Sequence, residues 1–157
     1  MSATPAPAPF RIVRLGAGDL AAMDGMLTMF GAAFGEVETY GGARPSPAYL
    51  TRLLGDDRFV ALAALAGEAV VGGLAAYELV KFEQERSELY LYDLAVAAPH
   101  RRRGIATALI EALKAIAAAR GGATIFVQAD HGDDAAIALY AKLGMAEEVL
   151  HFDIASG

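Results

Sequence analysis

The chain is 157 residues long, carries a formal net charge of −6 and contains no cysteine. That length suits one ordinary domain, the acidity argues against bulk nucleic-acid binding, and the missing thiols exclude disulfides, thiolate metal sites and a cysteine nucleophile. Hydrophobic residues make up 55 %, but 35 positions are Ala, and the longest apolar stretch, 59–67, is about half the roughly 20 residues that span a bilayer, so no membrane partner is expected.

Residues 1–9 alternate Ala and Pro without the basic start and apolar run of a secretion signal. They are expected to form a disordered tail before a single domain over 10–157, in a cytoplasmic protein. A short strand is expected over 10–15. Asp19 then offers an N-cap to an apolar helix that runs to Phe34 and stops at Gly35. Ser46-Pro47 starts a second helix through Leu54, with proline at the first helical position, where its missing N–H costs nothing. Residues 59–65 and 69–78 read as an antiparallel hairpin.

The segment 88–96, rich in Leu, Tyr and Val, is the best strand in the sequence, and Pro99 ends it. Residues 105–120 place Ile105, Ala108, Leu109, Ala112, Leu113 and Ile116 on one helical face, closed by Gly121-Gly122. A strand over 124–129, an acidic turn over 130–134, a helix over 135–143 and one or two closing strands over 145–154 complete the chain. The order predicts an α/β or α+β layered domain, with strand, right-handed helical crossover and parallel strand between 88 and 129.

Charge is segregated along the chain. Residues 99–120 hold five cations against Glu111, a local +4, while 121–157 hold Lys142 against six acids, a local −5. Such separation suits an anionic ligand at the first segment and a cationic one near the second. His100, His131 and His151 stand too far apart in sequence for a metal motif, so no metal is expected.

The cationic segment lies where the best strand runs into a helix start, through Pro99-His100-Arg101-Arg102-Arg103-Gly104-Ile105-Ala106-Thr107. A first helical turn has unpaired backbone N–H groups and partial positive charge, and Gly104 and Ala106 keep the approach open, so the segment suits a phosphate or pyrophosphate. The Gly-Lys-Ser/Thr ending of a Walker loop and the glycine fingerprint of a dinucleotide fold are both absent.

Arg101-Arg102-Arg103-Gly104-Ile105-Ala106 resembles the acetyl-coenzyme A motif of the GNAT acetyltransferase superfamily, Arg/Gln-x-x-Gly-x-Gly/Ala. Residues 133–144, with Ala136, Leu139, Tyr140, Lys142, Leu143 and Gly144, look like a second element of that family, in which Asp133 replaces the usual Asn. The strings at 72–77, 81–84, 92–96, 127–130 and 150–154 are similar to the aminoglycoside 3-N-acetyltransferases of the gentamicin class, so the resemblance covers about 10–154.

The resemblance implies a mixed, mostly antiparallel sheet with helices on both faces, acetyl-CoA as co-substrate, and acetylation of the 3-amino group of an aminoglycoside antibiotic. A homodimer is the expected assembly. Leu94, Ala95 and Val96 would pair with the pantetheine amides, and Arg101, Arg102, Arg103, Gly104, Ile105, Ala106 and Thr107 would hold the pyrophosphate. Asp133 takes the place of an Asn that bonds the pantetheine arm; ionised, it accepts but cannot donate. Tyr140 would protonate the leaving thiolate, where its residue type alone would suggest aromatic packing.

With no cysteine to carry an acyl group, the amine attacks the thioester directly in a ternary complex and needs a base. Asp93 interrupts an apolar and aromatic strand, so it is either that base or a carboxylate capping N–H groups at a strand bulge. Glu88 is the alternative base, acting through water. Glu88, Asp93, Asp130 and Asp153 are the acids expected to receive a polycationic substrate. Other readings are a polyamine acetyltransferase, an acyl-CoA sensor without catalysis, and a nucleic-acid module using Arg101 to Arg103.

Overall fold

Four antiparallel strands follow one another across the sheet in chain order: β1 (Arg11–Arg14), β2 (Phe59–Ala66), β3 (Ala69–Val80) and β4 (Ser87–Val96). A fifth, β5 (Thr124–Val127), joins β4 in parallel. The structure is a computed structural model describing residues 3, 4, 6 and 9–157. Met1–Val127 forms one unit, which contains this sheet, and Gln128–Gly157 a second. The expected tail falls in part on residues 1, 2, 5, 7 and 8, outside the described residues.

Helices α1 (Leu20–Phe34), α2 (Val37–Gly41) and α3 (Pro47–Gly55) lie between β1 and β2, and α4 (Ile105–Ala119) makes the crossover from β4 to β5. β2 is buried continuously from Phe59 to Leu65, as a strand covered on both faces must be. Two adjacent glycines of β3 show what covers it. A Cβ on Gly72 would meet Ile105 of α4 at 2.7 Å, and one on Gly73 would meet Met26 of α1 at 2.7 Å. Neighbouring strand residues point to opposite faces, so α1 and α4 sit on opposite sides of the sheet. On the α1 face, Met23, Met26 and Phe30 pack with Leu50 and Leu54 of α3 and with Ala61 and Ala63 of β2. Leu74, Leu89, Leu109 and Leu113 are fully buried.

Local signals set the helix ends. Gly35 closes α1 in the left-handed conformation, φ 66°, and the Ser46 hydroxyl accepts from the Tyr49 N–H at 3.2 Å to cap α3. Asp19 departs from expectation: its carboxylate accepts from the Gly16 N–H at 2.8 Å and bonds no N–H of the helix. The five-residue α2 was not expected either, being too short to show a 3.6-residue apolar pattern.

In the second unit, α5 (Asp134–Ala141) is capped by Asp133, whose Oδ1 accepts from the Ala136 N–H at 3.2 Å. The Tyr140 carbonyl closes the helix by accepting from Leu143 and Gly144. The strands expected over 145–154 do not form: 145–157 has no regular secondary structure. Leu150, Phe152 and Ile154 alternate as strand residues do, yet they are 82, 76 and 92 % exposed. Alternation assigns faces only; a strand also needs a neighbouring backbone to complete its ladder, and this segment pairs with none among the described residues. Among those residues, no helix is long and apolar enough to cross a membrane.

Candidate active site

β4 does not keep a constant phase. Leu91 faces Ala76 of β3, but Asp93 faces Ala75, so Tyr92 is an extra residue in the ladder. In a regular strand Asp93 would share the face of Leu89 and Leu91, which are buried at 0 and 2 % exposure. The bulge turns it to the opposite face, with Tyr90, Tyr77 and Ala95. Ala95 packs against the α1 core, which places Asp93 on the α1 side of the sheet.

There Asp93 is half-buried, and its Oδ2 accepts a hydrogen bond of 2.7 Å from the Tyr40 hydroxyl of α2. Oδ1 has no hydrogen-bond partner among the described residues. Burial pushes the carboxyl above the ordinary carboxylate range, the Tyr40 bond pulls it back, and the charge of Glu36 raises it again. Burial, followed by the bond and charge of Asp93, holds the Tyr40 phenol far above its usual range, so it remains a donor at neutral pH.

Beside Asp93 the same face is aromatic. Tyr77 and Tyr92 meet edge to face at 5.6 Å, Tyr92 and Tyr90 at 5.4 Å, and Tyr90 stacks on Phe126 of β5 at 4.5 Å. Phe59, Tyr77, Tyr90 and Tyr92 line an open groove of about 380 Å³ together with Glu78 and the ion pair of Asp56 and Arg58. Tyr92 is 59 % exposed, unusual for so large a ring on a strand, and offers its surface outward. Glu88, farther back on β4, is already matched by cations: its Oε1 lies 2.9 Å from Arg86 and its Oε2 3.9 Å from Lys81.

Past Asp93, β5 no longer accompanies β4. Their pairing covers Glu88 to Leu91, whereas β4 continues to Val96, so among the described residues Leu94, Ala95 and Val96 have β3 as their one strand neighbour. The chain then passes through a 3₁₀ turn (Ala98–His100) into the basic loop. Arg102 and Gly104 both take left-handed conformations, φ 62° and 78°, and α4 starts at Ile105. The first helical bond closes from the Ala108 N–H to the Gly104 carbonyl at 3.0 Å, and no side chain among the described residues caps the helix. The N–H groups of Ile105, Ala106 and Thr107 are thus left for a ligand. With Val96, His100, Arg101, Arg102 and Gly104, these residues border a cavity of about 250 Å³. The Arg101 Nε donates to the Val96 carbonyl at 3.2 Å, and Arg103 Nη1 lies 3.3 Å from His100 Nδ1. A strand edge without a partner and an uncapped, cationic helix start fit a ligand with amides and phosphates.

Asp93 and the expected cofactor residues Leu94 to Val96 and Arg101 to Thr107 therefore lie along one stretch of β4 and its exit. Asp130, Asp133, Tyr140 and Asp153 belong to the second unit. There Asp133 caps α5, Tyr140 lies in its last turn, and Asp153 Oδ1 is 2.9 Å from His151 Nε2. Among the described residues, no three His, Asp or Glu side chains form a metal-ligand cluster.

Residues 26–145 match the acetyltransferase (GNAT) family. The chain belongs to the GNAT acetyltransferase family. This GNAT chain is 60 % identical to a solved aminoglycoside acetyltransferase from an uncultured soil metagenomic sample, over 95 % of this chain and 99 % of that one, with a TM-score of 0.92. A second aminoglycoside acetyltransferase from such a sample, solved in complex with sisomicin, is 32 % identical over 94 % of this chain and 97 % of that one, with a TM-score of 0.86. The aminoglycoside N-acetyltransferase AAC(6')-Iy in complex with CoA shares the GNAT fold at 16 % identity, over 99 % of this chain and 100 % of that one, with a TM-score of 0.75. The comparison with curated proteins gave no match.

Sequence reasoning missed Tyr40, Glu36 and the aromatic face. Tyr40 and Glu36 lie in a stretch read as a connection between helices. The one signal available was the Phe30 and Phe34 pair at the end of α1, four residues apart and ready to receive another ring.

Proposed function

We propose that the protein transfers the acetyl group of acetyl-CoA to the 3-amino group of gentamicin-type aminoglycosides, and so confers resistance to them. The observation that carries this reading is the division of β4: one half presents a half-buried carboxylate beside an aromatic groove, and the other ends in an uncapped, cationic helix start. The 60 % identity with a soil aminoglycoside acetyltransferase supports the substrate class.

The Ile105, Ala106 and Thr107 N–H groups bind the pyrophosphate, with Arg101, Arg102 and Arg103 supplying positive charge, while Leu94 to Val96 pair with the pantetheine amides. Acetyl-CoA supplies an acyl carbon activated as a thioester. Asp93 takes a proton from the substrate ammonium, freeing the lone pair that attacks that carbon. The new C–N bond forms as the C–S bond breaks, and the second proton shed by the acylated nitrogen balances the one delivered to the departing sulfur, a delivery that the family resemblance assigns to Tyr140. Glu36 supplies negative charge for the other ammonium groups, and Tyr77, Tyr90 and Tyr92 offer ring faces to the aminosugars. Glu88, held by Arg86 and Lys81, serves the loop between β3 and β4.

The test is incubation of gentamicin with enzyme and acetyl-CoA, followed by mass spectrometry and NMR of the product. A single added acetyl group on the 3-nitrogen is expected; acetyl on another nitrogen refutes the regiochemistry, and no transfer refutes the activity. Tyr140→Phe is expected to lower kcat about 10²-fold with acetyl-CoA affinity unchanged. Gly104→Glu places a charged side chain in a left-handed conformation where glycine is strain-free. It should weaken acetyl-CoA binding by about tenfold or more, read by calorimetry.

A further inference from the structure

We infer that Tyr40 is a positioning residue for proton transfer: its hydroxyl holds Oδ2 of Asp93, which fixes the carboxylate and leaves Oδ1 to take the proton of the substrate amine. The inference rests on Asp93 being the base.

The placement of Tyr40 is built, not incidental. Its ring packs 5.9 Å from Phe30 and 5.8 Å from Phe34, which themselves stack at 5.6 Å. α2 approaches α1 so closely that a Cβ on Gly31 would lie 3.2 Å from Tyr40 Cβ and 3.3 Å from Val37 Cα. The Glu36 N–H donates to the Gly31 carbonyl at 2.9 Å, closing the turn between the two helices. Arg44, just beyond α2, is tied to Asp24 and Thr28 of α1. A five-residue helix without an apolar stripe is thus anchored along α1, and it presents the Tyr40 hydroxyl to Asp93 of the sheet.

A carboxylate turned out by a bulge has two equivalent oxygens and free rotation about its last bond. One hydrogen bond from a fixed phenol removes that freedom and stabilises the charged form. Opposing it are partial desolvation, the larger effect, and the charge of Glu36 from the turn before α2; Tyr77 of β3 and Tyr90 and Tyr92 of β4 complete the titratable groups around Asp93. The Tyr40 bond therefore lowers the Asp93 carboxyl against the burial and the Glu36 charge that raise it.

The experiment compares the pH dependence of kcat/KM for the native enzyme, Tyr40→Phe and Asp93→Asn, together with a carbon-13 NMR titration of the Asp93 carboxyl in native and Tyr40→Phe protein. Phenylalanine keeps the ring that packs on Phe30 and Phe34. The expected result is that Tyr40→Phe moves the acid limb and the Asp93 carboxyl titration upward by about one pH unit, a tenfold change in proton affinity, with activity recovering at higher pH. Equal midpoints in native and Tyr40→Phe protein, by kinetics or by NMR, overturn the inference. If Asp93→Asn alone keeps the native acid limb, the base is elsewhere and the reading of Asp93 falls; the NMR titration then still reports whether Tyr40 holds that carboxylate.

Discussion

Asp93→Asn should lower kcat/KM for the aminoglycoside by about 10³-fold at neutral pH while leaving acetyl-CoA affinity within twofold of the native value. The amide is the same size as the carboxylate, and its oxygen can still accept from Tyr40, so packing on the α1 face is kept. What it loses is the capacity to take a proton from an ammonium. The variant is also expected to unfold at an equal or higher temperature. Burial raises the Asp93 pKa in the folded state, so the folded protein binds that proton more tightly than the unfolded chain does. This group's contribution to stability is full below the unfolded pKa and is lost as pH rises through the raised folded one, so at neutral pH the ionised carboxylate is held at a cost that asparagine removes. A fall in rate of less than threefold would take Asp93 out of the chemistry.

Gly72→Ala should destabilise the fold by about 1–3 kcal/mol, read as a lower denaturant midpoint, and weaken acetyl-CoA binding as well. The added carbon would lie 2.7 Å from Ile105 Cγ2, 3.4 Å from Ala64 Cβ and 3.4 Å from the Ala95 carbonyl. Ile105 is β-branched and opens α4, so it has essentially one helical rotamer and cannot swing aside. The start of the helix must move, and with it the N–H groups of Ile105, Ala106 and Thr107. Gly73→Ala makes an informative contrast. Its new carbon meets Met26 Cγ and Sδ at 2.7 Å and Met29 Cε at 3.2 Å, side chains with several rotatable bonds that can repack on the other face. That variant should lose less stability and keep its affinity for acetyl-CoA; equal loss of affinity in both would mean that α4 is not the element displaced.

The strand-to-helix passage over 88–120 was legible because its determinants are local. Leu, Tyr and Val set the strand, Pro99 stopped it, Gly104 admitted the turn, and an apolar stripe made the helix. The glycine end of α1 and the Ser-Pro start of α3 were readable for the same reason. Asp93 could be picked out as a charge in an apolar strand, but neither its face nor its partner could be read. The face depends on one extra residue in a ladder with β3, and Tyr40 is 53 positions away in sequence. The hint was there: in strict alternation Asp93 would fall among Leu89 and Leu91, and an unpaired carboxylate does not belong in that company. Alternation misled in the opposite direction at the end of the chain, where Leu150, Phe152 and Ile154 carry a strand's pattern without a strand.

The extra residue at Tyr92 also bears on how such an enzyme diversifies. On the proposed function, the outward side chains of β4 before it serve the acceptor, and the backbone after it serves the donor. On that division, mutations at Tyr77, Tyr90 or Tyr92 are expected to redirect the protein toward other amines while its grip on coenzyme A stays intact, so that acceptor preference can drift with little penalty to the shared chemistry.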